Sequence, residues 1–353
     1  MRWLFALLIF VPVSIAMRLA GAPDVWIFAV SALAIVPLAG FVGLSTEELA
    51  KYRGPSIGGL LNATFGNATE LIFCVVALHS GQIDVVKASL IGSIIGNVLL
   101  VLGLSVLLGG VRHKMQMFNK DVAQSHSAML AVAVISLVVP AVFVGAAKIG
   151  PADVGHRIES LSLGVAGVLM ALYVGSLIFS LYTHETLFRS NESGDEEPPL
   201  WKQRTAVLVL TAATLAIAVE SELMVHAIDP VVLKCHINKT FLSVILIPIV
   251  GNAAEHSTAV MMALKNKMDI SLNIAISSST QIAMFVAPLV IFVGPMMHHP
   301  VTILFGPFEL VAVTVATAIA VLISMDGKSH WLEGAQLLAT YVIVALAFFY
   351  LGS

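Results

Sequence analysis

The chain alternates long apolar runs with short polar breaks along its whole length. Apolar runs of about eighteen or more residues are long enough to cross a bilayer as helices, and eleven follow one another in this sequence. They lie at residues 3–20, 23–43, 60–80, 84–110, 121–145, 157–184, 205–226, 239–264, 268–293, 301–324 and 332–351. The pattern therefore predicts an all-α polytopic membrane protein of about eleven transmembrane helices.

Composition supports this class and excludes others. The 353 residues are 58% hydrophobic and 11% charged, with a mean hydropathy of +0.97, whereas soluble domains carry about 25% charged residues. A net charge of −3 offers no basic surface to nucleic acid. The absence of a GxxxxGK phosphate loop argues against ATP as the energy source. The two cysteines, Cys74 and Cys235, are predicted to be unpaired thiols.

Two segments depart from the regular pattern. Residues 1–22 begin like a signal peptide, with Arg2 before an apolar core, but the apolar run continues to Ala20 and favours a retained transmembrane helix over a cleaved one. Residues 185–204 contain RSNESGDEEPPLWKQR, the most polar stretch of the chain. This stretch is either a solvated linker or an acidic segment that concentrates cations near a pore mouth.

The chain contains an internal repeat. FGNATELIF, from Phe65, and IVGNAAEHS, from Ile249, share Gly-Asn-Ala-x-Glu, and an aspartate follows each glutamate fourteen residues later. An offset of 185 aligns 36 residues around these motifs without a gap. The motifs lie in the third and eighth spans, so residues 23–184 and 205–353 are two five-helix halves. Because five crossings are an odd number, we expect an inverted repeat, as in many secondary transporters.

Loop lysines and arginines predict the orientation in the membrane. Twelve lie on the side of the N-terminus and six on the other side. We therefore expect the N-terminus and the acidic linker to be cytoplasmic and the C-terminus to be outside. The expected location is the inner (plasma) membrane, with the lipid bilayer as a partner. The sequence does not decide whether the protein forms a homo-oligomer.

Two glutamates, Glu70 and Glu255, lie inside apolar spans, where a charge costs about 2.5–3.5 kcal/mol. Their duplication at equivalent positions favours a function over an incidental structural role. Asn67 and Asn252 lie three residues before them and therefore on the same helix faces. Pro248 removes a backbone donor and is expected to free a carbonyl for a ligand.

These groups predict the cargo. Carboxylate, amide and carbonyl oxygens are hard ligands of the kind that Ca²⁺ prefers. Zinc favours sulfur or imidazole, and His79 and His256 are single histidines in their halves. Two carboxylates balance one divalent cation or two protons, and an apolar setting favours the protonated form of a carboxyl. The sequence therefore predicts an antiporter that exchanges Ca²⁺ for protons.

The span after each motif carries further polar residues at helical spacing. These side chains are predicted to complete the coordination of the ion. They are Ser93, Asn97, Ser278 and Gln281. The alternative for the two serines is helix packing, because Gly92-x-x-x-Gly96 is a small-residue packing motif in membranes.

Four stretches resemble a known family: GLLNATFGNATELI, GSIIGNVLLVLG, GNAAEH and SSSTQIAMFV. They are similar to the two alpha-repeats of the Ca²⁺/H⁺ antiporter branch of the cation/Ca²⁺ exchanger superfamily. The resemblance implies a transporter that works by alternating access, not an enzyme, with Ca²⁺ as its substrate and no cofactor. It implies Glu70 and Glu255 as ion and proton carriers. The residues beside them would be Asn67, Asn252, Ser93, Asn97, Ser278 and Gln281.

The resemblance also implies acidic residues away from the central site. A cytosolic acidic helix would contain Glu192, Asp195, Glu196 and Glu197, although Pro198 and Pro199 would end it early. Candidate vestibule acids at the ends of the second and seventh spans are Glu47, Glu48, Glu220 and Glu222. Interfacial charges at helix ends explain the latter four equally well.

Alternative functions stay open at this point. One is an antiporter that uses Na⁺ or carries another divalent cation such as Mn²⁺. A second is a cation channel with a carboxylate ring, which would conduct without strict coupling. An intramembrane hydrolase fits least, because the chain lacks a plausible Ser-Lys or Ser-His pair and its two glutamates have symmetric surroundings.

Overall fold

The computed structural model describes residues 2–53, 55–146, 151–184 and 198–351, and nearly all of these are helical. The helices are α1 Arg2–Leu7, α2 Phe10–Leu19, α3 Asp24–Arg53, α4 Pro55–Phe65, α5 Ala68–His79, α6 Ile83–Ile95, α7 Leu102–His113, α8 Lys120–Ala146, α9 Pro151–Ile178, α10 Gln203–Cys235, α11 Lys239–Phe241, α12 Ile247–Gly251, α13 Ala253–Leu264, α14 Met268–Gln281, α15 Ala287–Met296, α16 Pro307–Ser324 and α17 Trp331–Tyr350. The π-helical segments within this part are Gly96–Val101, Phe179–Thr183, Leu242–Leu246 and Ile282–Val286.

Eight of the described helical stretches are long and apolar enough to cross a membrane. The bent pair Lys239–Gly251 and Ala253–Leu264 raises that number to nine if it forms one span. Leu4–Leu19 and Ala68–His79 are shorter apolar helices. The prediction of an all-α membrane protein is confirmed, whereas the count of eleven crossings stays a prediction.

Both copies of the repeated motif interrupt a helix. Asn67 separates α4 from α5, and Asn252 separates α12 from α13, with a bend of 63° in the second case. The asparagines have similar backbone angles, φ −99° and ψ 22° in the first and φ −94° and ψ 7° in the second. The backbone therefore breaks at equivalent positions in the two halves.

The helical stretches that follow the motifs lie at the centre of the protein. Ile83–His113 and Met268–Met296 are 72% and 67% buried over their apolar windows, more than any other candidate span in the described residues. Each contains a π-helical segment, at Gly96–Val101 and Ile282–Val286, and the offset of 185 places these segments at matching positions. Such segments are frequent at functional sites.

The second and seventh spans were predicted too short. Helix α3 continues to Arg53 rather than ending at residue 43, and α10 continues to Cys235 rather than ending at residue 226. The end of α3 is polar, and the end of α10 contains Asp229, Pro230 and Lys234, which suggested a break in the sequence. The two helices nevertheless pack along each other and remain helical. The four candidate vestibule acids therefore lie within helices rather than at helix ends: Glu47, Glu48, Glu220 and Glu222.

The tenth span was predicted to begin too early. Residues 301–306 are not helical, and α16 begins at Pro307. Proline suits the first position of a helix because it lacks a donor that would be unused there. The backbone N–H of Gly306 donates to Glu309 Oε2 at 2.8 Å, which satisfies a group that the helix start leaves unpaired.

The N-terminal helices pack against the rest of the fold. Phe5 contacts Phe41 of α3 edge to face, with ring centroids 5.1 Å apart. Ser14 Oγ of α2 donates to Glu220 Oε1 of α10 at 2.6 Å. The acidic residues Glu192, Asp195, Glu196 and Glu197 lie outside the described residues.

The loops meet at two separate ends of the helix bundle. At one end, Met115–Met117 (β1) pairs antiparallel with Lys328–His330 (β2), a small sheet that the sequence did not predict. Gln116 Nε2 of β1 also donates to the Ala263 carbonyl at 2.8 Å. At the other end, Lys239 Nζ donates to Gln82 Oε1 at 2.6 Å. Loops after the fourth, eighth and tenth spans thus lie together, apart from loops after the third and seventh.

Candidate cation site

The two motif glutamates lie at the junction of the two halves. Glu70 is in the first turn of α5 and Glu255 in the first turn of α13. A helix N-terminus favours a negative charge, so each break in the backbone supports the carboxylate that follows it. Glu70 is only 7% exposed, and Glu255 is the charged group that acts on it electrostatically.

Each carboxylate lies against the glycine of the opposite motif. A Cβ built on Gly251 would be 3.8 Å from Glu70 Oε1, and one built on Gly66 would be 3.6 Å from Glu255 Oε1. A larger side chain at either glycine would occupy the space in front of the opposite carboxylate. The two copies of Gly-Asn-Ala-x-Glu therefore form one site together, with the glutamate of one half at the break of the other.

Hydrogen bonds connect most of the predicted ligands. Ser278 Oγ donates to Glu255 Oε2 at 2.6 Å. Two further bonds join the halves: Asn252 Nδ2 donates to Ser93 Oγ at 3.2 Å, and Asn67 Nδ2 donates to Gln281 Oε1. The sequence placed these side chains on the correct faces but did not predict which partner each would take.

Some acceptor oxygens at this junction have no donor in the described structure. They are Glu70 Oε2, Asn67 Oδ1 and Asn252 Oδ1, and all three are buried. Buried polar atoms are normally hydrogen-bonded, so three unsatisfied acceptors in one place suit a cation. Among the described residues no group of three or more His, Cys, Asp or Glu side chains could hold a metal. The unsatisfied acceptors are carboxylate and amide oxygens, which suit a hard cation such as Ca²⁺.

One prediction about this region needs correction, and another, Asn97 as a ligand, stays a prediction. The Pro248 carbonyl accepts from Asn252 Nδ2 at 3.0 Å, and the Val244 carbonyl one turn earlier lies against Gly92. Neither carbonyl is thus the free ligand expected from the proline. Asn97 lies in the first π-helical segment, and its Nδ2 is buried without a hydrogen-bond partner in the described structure. Asn97 therefore has no observed bond to another predicted ligand.

The packing motif also differs from its expected form. A Cβ on Gly92 would collide with the Val244 carbonyl, whereas a Cβ on Gly96 would meet nothing within 4 Å. Close helix packing thus depends on the first glycine alone. Ser93, next to Gly92, is buried and bonded to Asn252, so it contributes to the site as well as to the interface.

A small cavity of about 20 Å³ lies beside Glu70. Besides Glu70, its polar walls are Cys74, Ser89 and Ser93. Cys74 and Ser89 were not predicted as site residues, although their spacing contained a signal. Cys74 lies four residues after Glu70, and Ser89 four residues before Ser93, so each shares a helix face with a predicted ligand.

Two of the four candidate vestibule acids are buried and have structural partners. Glu48 is buried, pairs with Lys51 at 2.8 Å and accepts from the Trp201 backbone N–H at 2.8 Å. Glu220 is fully buried against Ser14. Glu48 thus holds the end of the linker against the bundle, and Glu220 holds the N-terminal helix there. Glu47 and Glu222 are exposed.

Comparisons with known proteins identify the family of the chain. The family described as sodium/calcium exchanger protein matches residues 24–182 and 205–350. The Ca²⁺/H⁺ antiporter of Aphanothece halophytica is 45% identical over 98% of this chain and 96% of its own length. The Ca²⁺/H⁺ antiporter ChaA of Bacillus subtilis is 43% identical over 97% of each chain.

A solved structure extends the comparison to the fold. The Ca²⁺/H⁺ antiporter protein YfkE matches with a TM-score of 0.84 and 40% sequence identity, over 99% of both chains. The match covers both copies of the motif and the helices between them. The protein belongs to the sodium/calcium exchanger family and, as its alpha-repeat motifs predicted, is similar within it to Ca²⁺/H⁺ antiporters.

Proposed function

We propose that the protein exchanges Ca²⁺ for protons across the membrane by alternating access. The observation that carries this proposal is the reciprocal pair of glutamates, each against the opposite glycine, with unsatisfied buried oxygens around them. The similarity to proteins named Ca²⁺/H⁺ antiporters supports the choice of ions. Ca²⁺ is the transported substrate rather than a resident cofactor.

The charge of the site explains how the two ions are coupled. Two ionised carboxylates leave a charge of −2 in a buried setting, and moving that charge through apolar surroundings is costly. One Ca²⁺ neutralises it, as do two protons. Only a loaded site can therefore rearrange between the two sides, and the carboxylates carry Ca²⁺ one way and protons the other. Ser278 positions the Glu255 carboxylate by its hydrogen bond, and Asn67 and Asn252 supply further oxygens.

The same proposal includes the domain organisation and the topology. Residues 1–22 form an extra helix, 23–184 and 205–353 form two inverted halves, and 185–204 link them. The matching breaks and π-helical segments support the repeat, and the grouping of loops at two ends supports eleven crossings. The surplus of loop lysine and arginine supports a cytoplasmic N-terminus and linker and a C-terminus outside, and the similarity to bacterial antiporters supports the plasma membrane.

The direct test is transport into sealed vesicles that contain the purified protein. An imposed pH gradient, acidic inside, is expected to drive uphill ⁴⁵Ca²⁺ uptake, and collapsing the gradient with a protonophore should stop it. A Na⁺ gradient of the same size is the matched control. Uptake with the Na⁺ gradient but not with the pH gradient would replace this proposal with Na⁺/Ca²⁺ exchange. Ca²⁺ flux that only follows its own gradient would indicate a channel. If Mn²⁺ competed with ⁴⁵Ca²⁺ more strongly than unlabelled Ca²⁺ does, Mn²⁺ rather than Ca²⁺ would be the preferred substrate.

A second prediction concerns Ser278, whose hydroxyl donates to Glu255. Hydrogen bonds to charged groups contribute about 1.5–3 kcal/mol, so Ser278→Ala is expected to weaken apparent Ca²⁺ affinity by about tenfold or more. Ser279→Ala is the matched control, because its Oγ donates to the Ala275 carbonyl of its own helix at 2.9 Å. The KM for Ca²⁺ in the vesicle assay measures both. Equal KM values would show that Ser278 does not act on the site.

A further inference from the structure

A third buried carboxyl lies in a candidate membrane span, away from the two motif glutamates. Glu220 is near the middle of α10, which runs from Gln203 to Cys235, and its side chain is fully buried. An ionisable group inside a membrane-spanning helix is costly and normally indicates a function. The exchange of Ca²⁺ for protons does not use Glu220, because its hydrogen bond is to the N-terminal helix and not to either motif.

The surroundings of Glu220 contain hydroxyl groups but no counter-ion. Ser14 Oγ of α2 is 2.6 Å from Glu220 Oε1, and Ser31 of α3 lies near the same carboxyl. Helices α2, α3 and α5 pack against α10. Within the described structure none of their titratable side chains acts electrostatically on Glu220, and no ion pair includes it. An ionised Glu220 would therefore be a buried charge without a partner, which is strongly unfavourable.

The contacts of Ser14 indicate which form the carboxyl takes. Ser14 Oγ is 2.7 Å from the Val11 carbonyl oxygen as well as 2.6 Å from Glu220 Oε1. If Glu220 is ionised, both neighbours are acceptors, but a serine hydroxyl has one proton and can donate to only one of them. If Glu220 is protonated, its carboxyl donates to Ser14 Oγ while Ser14 donates to Val11. The protonated form thus makes hydrogen bonds of both contacts, whereas the ionised form makes one.

The second oxygen of the carboxyl fits the same form. Glu220 Oε2 and Ser31 Oγ are both buried and have no hydrogen-bond partner in the described structure. With the proton on Oε1, Oε2 is a neutral carbonyl oxygen, an acceptor suited to a hydroxyl such as that of Ser31. We propose that Glu220 is a third proton-binding site, at the contact of α2, α3 and α10. Its bound proton holds the N-terminal helix against these two long helices and is separate from the protons of the cation site.

Infrared difference spectroscopy tests for the proton directly. A protonated carboxylic acid has a C=O stretching band that is distinct from those of ionised carboxylates and amides. At neutral pH we expect the difference between the purified protein and Glu220→Gln to contain this band. Glu222→Gln, which changes an exposed glutamate of the same helix, is the control and should leave the band intact. Absence of the band from the first difference spectrum would overturn the proposal. Ser14→Ala should shift its frequency, and an unchanged frequency would show that Glu220 does not donate to Ser14.

Thermal unfolding and transport supply independent measurements on Glu220→Gln. Glutamine keeps an N–H donor for Ser14, so the thermal midpoint in detergent is expected to stay unchanged. A clear rise would mean that the substitution removes a buried charge, which would overturn the proposal. In the vesicle assay the variant should retain ⁴⁵Ca²⁺ uptake driven by a pH gradient. Loss of uptake in the folded variant would make Glu220 part of the exchange and would overturn a separate site. Loss of uptake in the unmodified protein would instead refute the proposed function, and the infrared band would still decide on Glu220.

Discussion

Replacing either motif glutamate by glutamine is expected to abolish proton-driven Ca²⁺ uptake. Glutamine keeps the shape of the side chain but removes its charge, so Glu70→Gln or Glu255→Gln leaves one carboxylate to balance a divalent cation. Removing one partner of a buried charge pair costs about 2–5 kcal/mol, which corresponds to a loss of at least about 30-fold. The variant also loses a group that can take up and release a proton. Both ions are affected, so the coupled reaction should fall below detection.

Two controls separate loss of transport from loss of folding. Glu159→Gln in α9 removes a glutamate far from the motifs in sequence and should transport Ca²⁺ like the unmodified protein. Size-exclusion chromatography and thermal unfolding should show that Glu70→Gln and Glu255→Gln are folded, because burying a neutral amide is less costly than burying a charge. Robust uptake driven by a pH gradient in either folded variant would contradict the assignment of the two carriers.

Replacing Gly92 by alanine is expected to destabilise the fold strongly, although it adds only one methyl group. The added Cβ would collide with the backbone carbonyl of Val244 and approach Pro248 Cγ at 2.7 Å. A backbone carbonyl cannot turn away as a flexible side chain can, so α6 and the π-helical segment before α12 must separate. Overpacking of this kind costs about 1–3 kcal/mol, and for a chain of 353 residues we expect the thermal midpoint in detergent to fall by about 1–4 °C.

Gly96 provides the matched comparison for that experiment. It lies one turn further along the same stretch, and a Cβ there meets nothing within 4 Å. Gly96→Ala should therefore keep the thermal midpoint of the unmodified protein or raise it slightly, since alanine is favoured over glycine in helices by about 1 kcal/mol. If both substitutions lowered the midpoint equally, the close approach at Gly92 would not be what holds these helices together.

The sequence predicted the features that depend on local composition. Apolar runs identified the helical membrane fold, and the repeated Gly-Asn-Ala-x-Glu identified Glu70 and Glu255. Helix periodicity identified Ser93 and Ser278 as neighbours of the glutamates, and the structure shows both in hydrogen bonds with motif residues of the second half. A charged residue inside an apolar helix indicates a function, because burying its charge in the membrane costs free energy. That it occurs at equivalent positions of both repeats can be seen in the sequence alone.

Features that depend on contacts between distant residues were not predictable in this way. The pairing of Met115–Met117 with Lys328–His330 joins segments more than two hundred residues apart. The break at Asn67 lies in the repeated polar motif, which predicted a functional site but not an interruption of the helix. In the sequence Cys74 resembles the apolar residues around it, and only the structure shows that it lines a cavity together with Ser89. Glu48 and Glu220 looked like interfacial charges because their partners, Trp201 and Ser14, come from other parts of the chain.

Each motif glutamate lies against the glycine of the other half, and this contact has a thermodynamic consequence. Neither half holds two carboxylates, so neither can neutralise a divalent ion unless the other half is in contact with it. On the proposed function, a bound Ca²⁺ ties the two halves together, and an ion that binds only the assembled form stabilises that assembly by mass action. When the site is empty, the two ionised carboxylates repel each other where the halves meet, and this repulsion weakens the contact between the halves. Bound Ca²⁺ thereby also stabilises the contact between the two halves, and its release weakens that contact until protons bind.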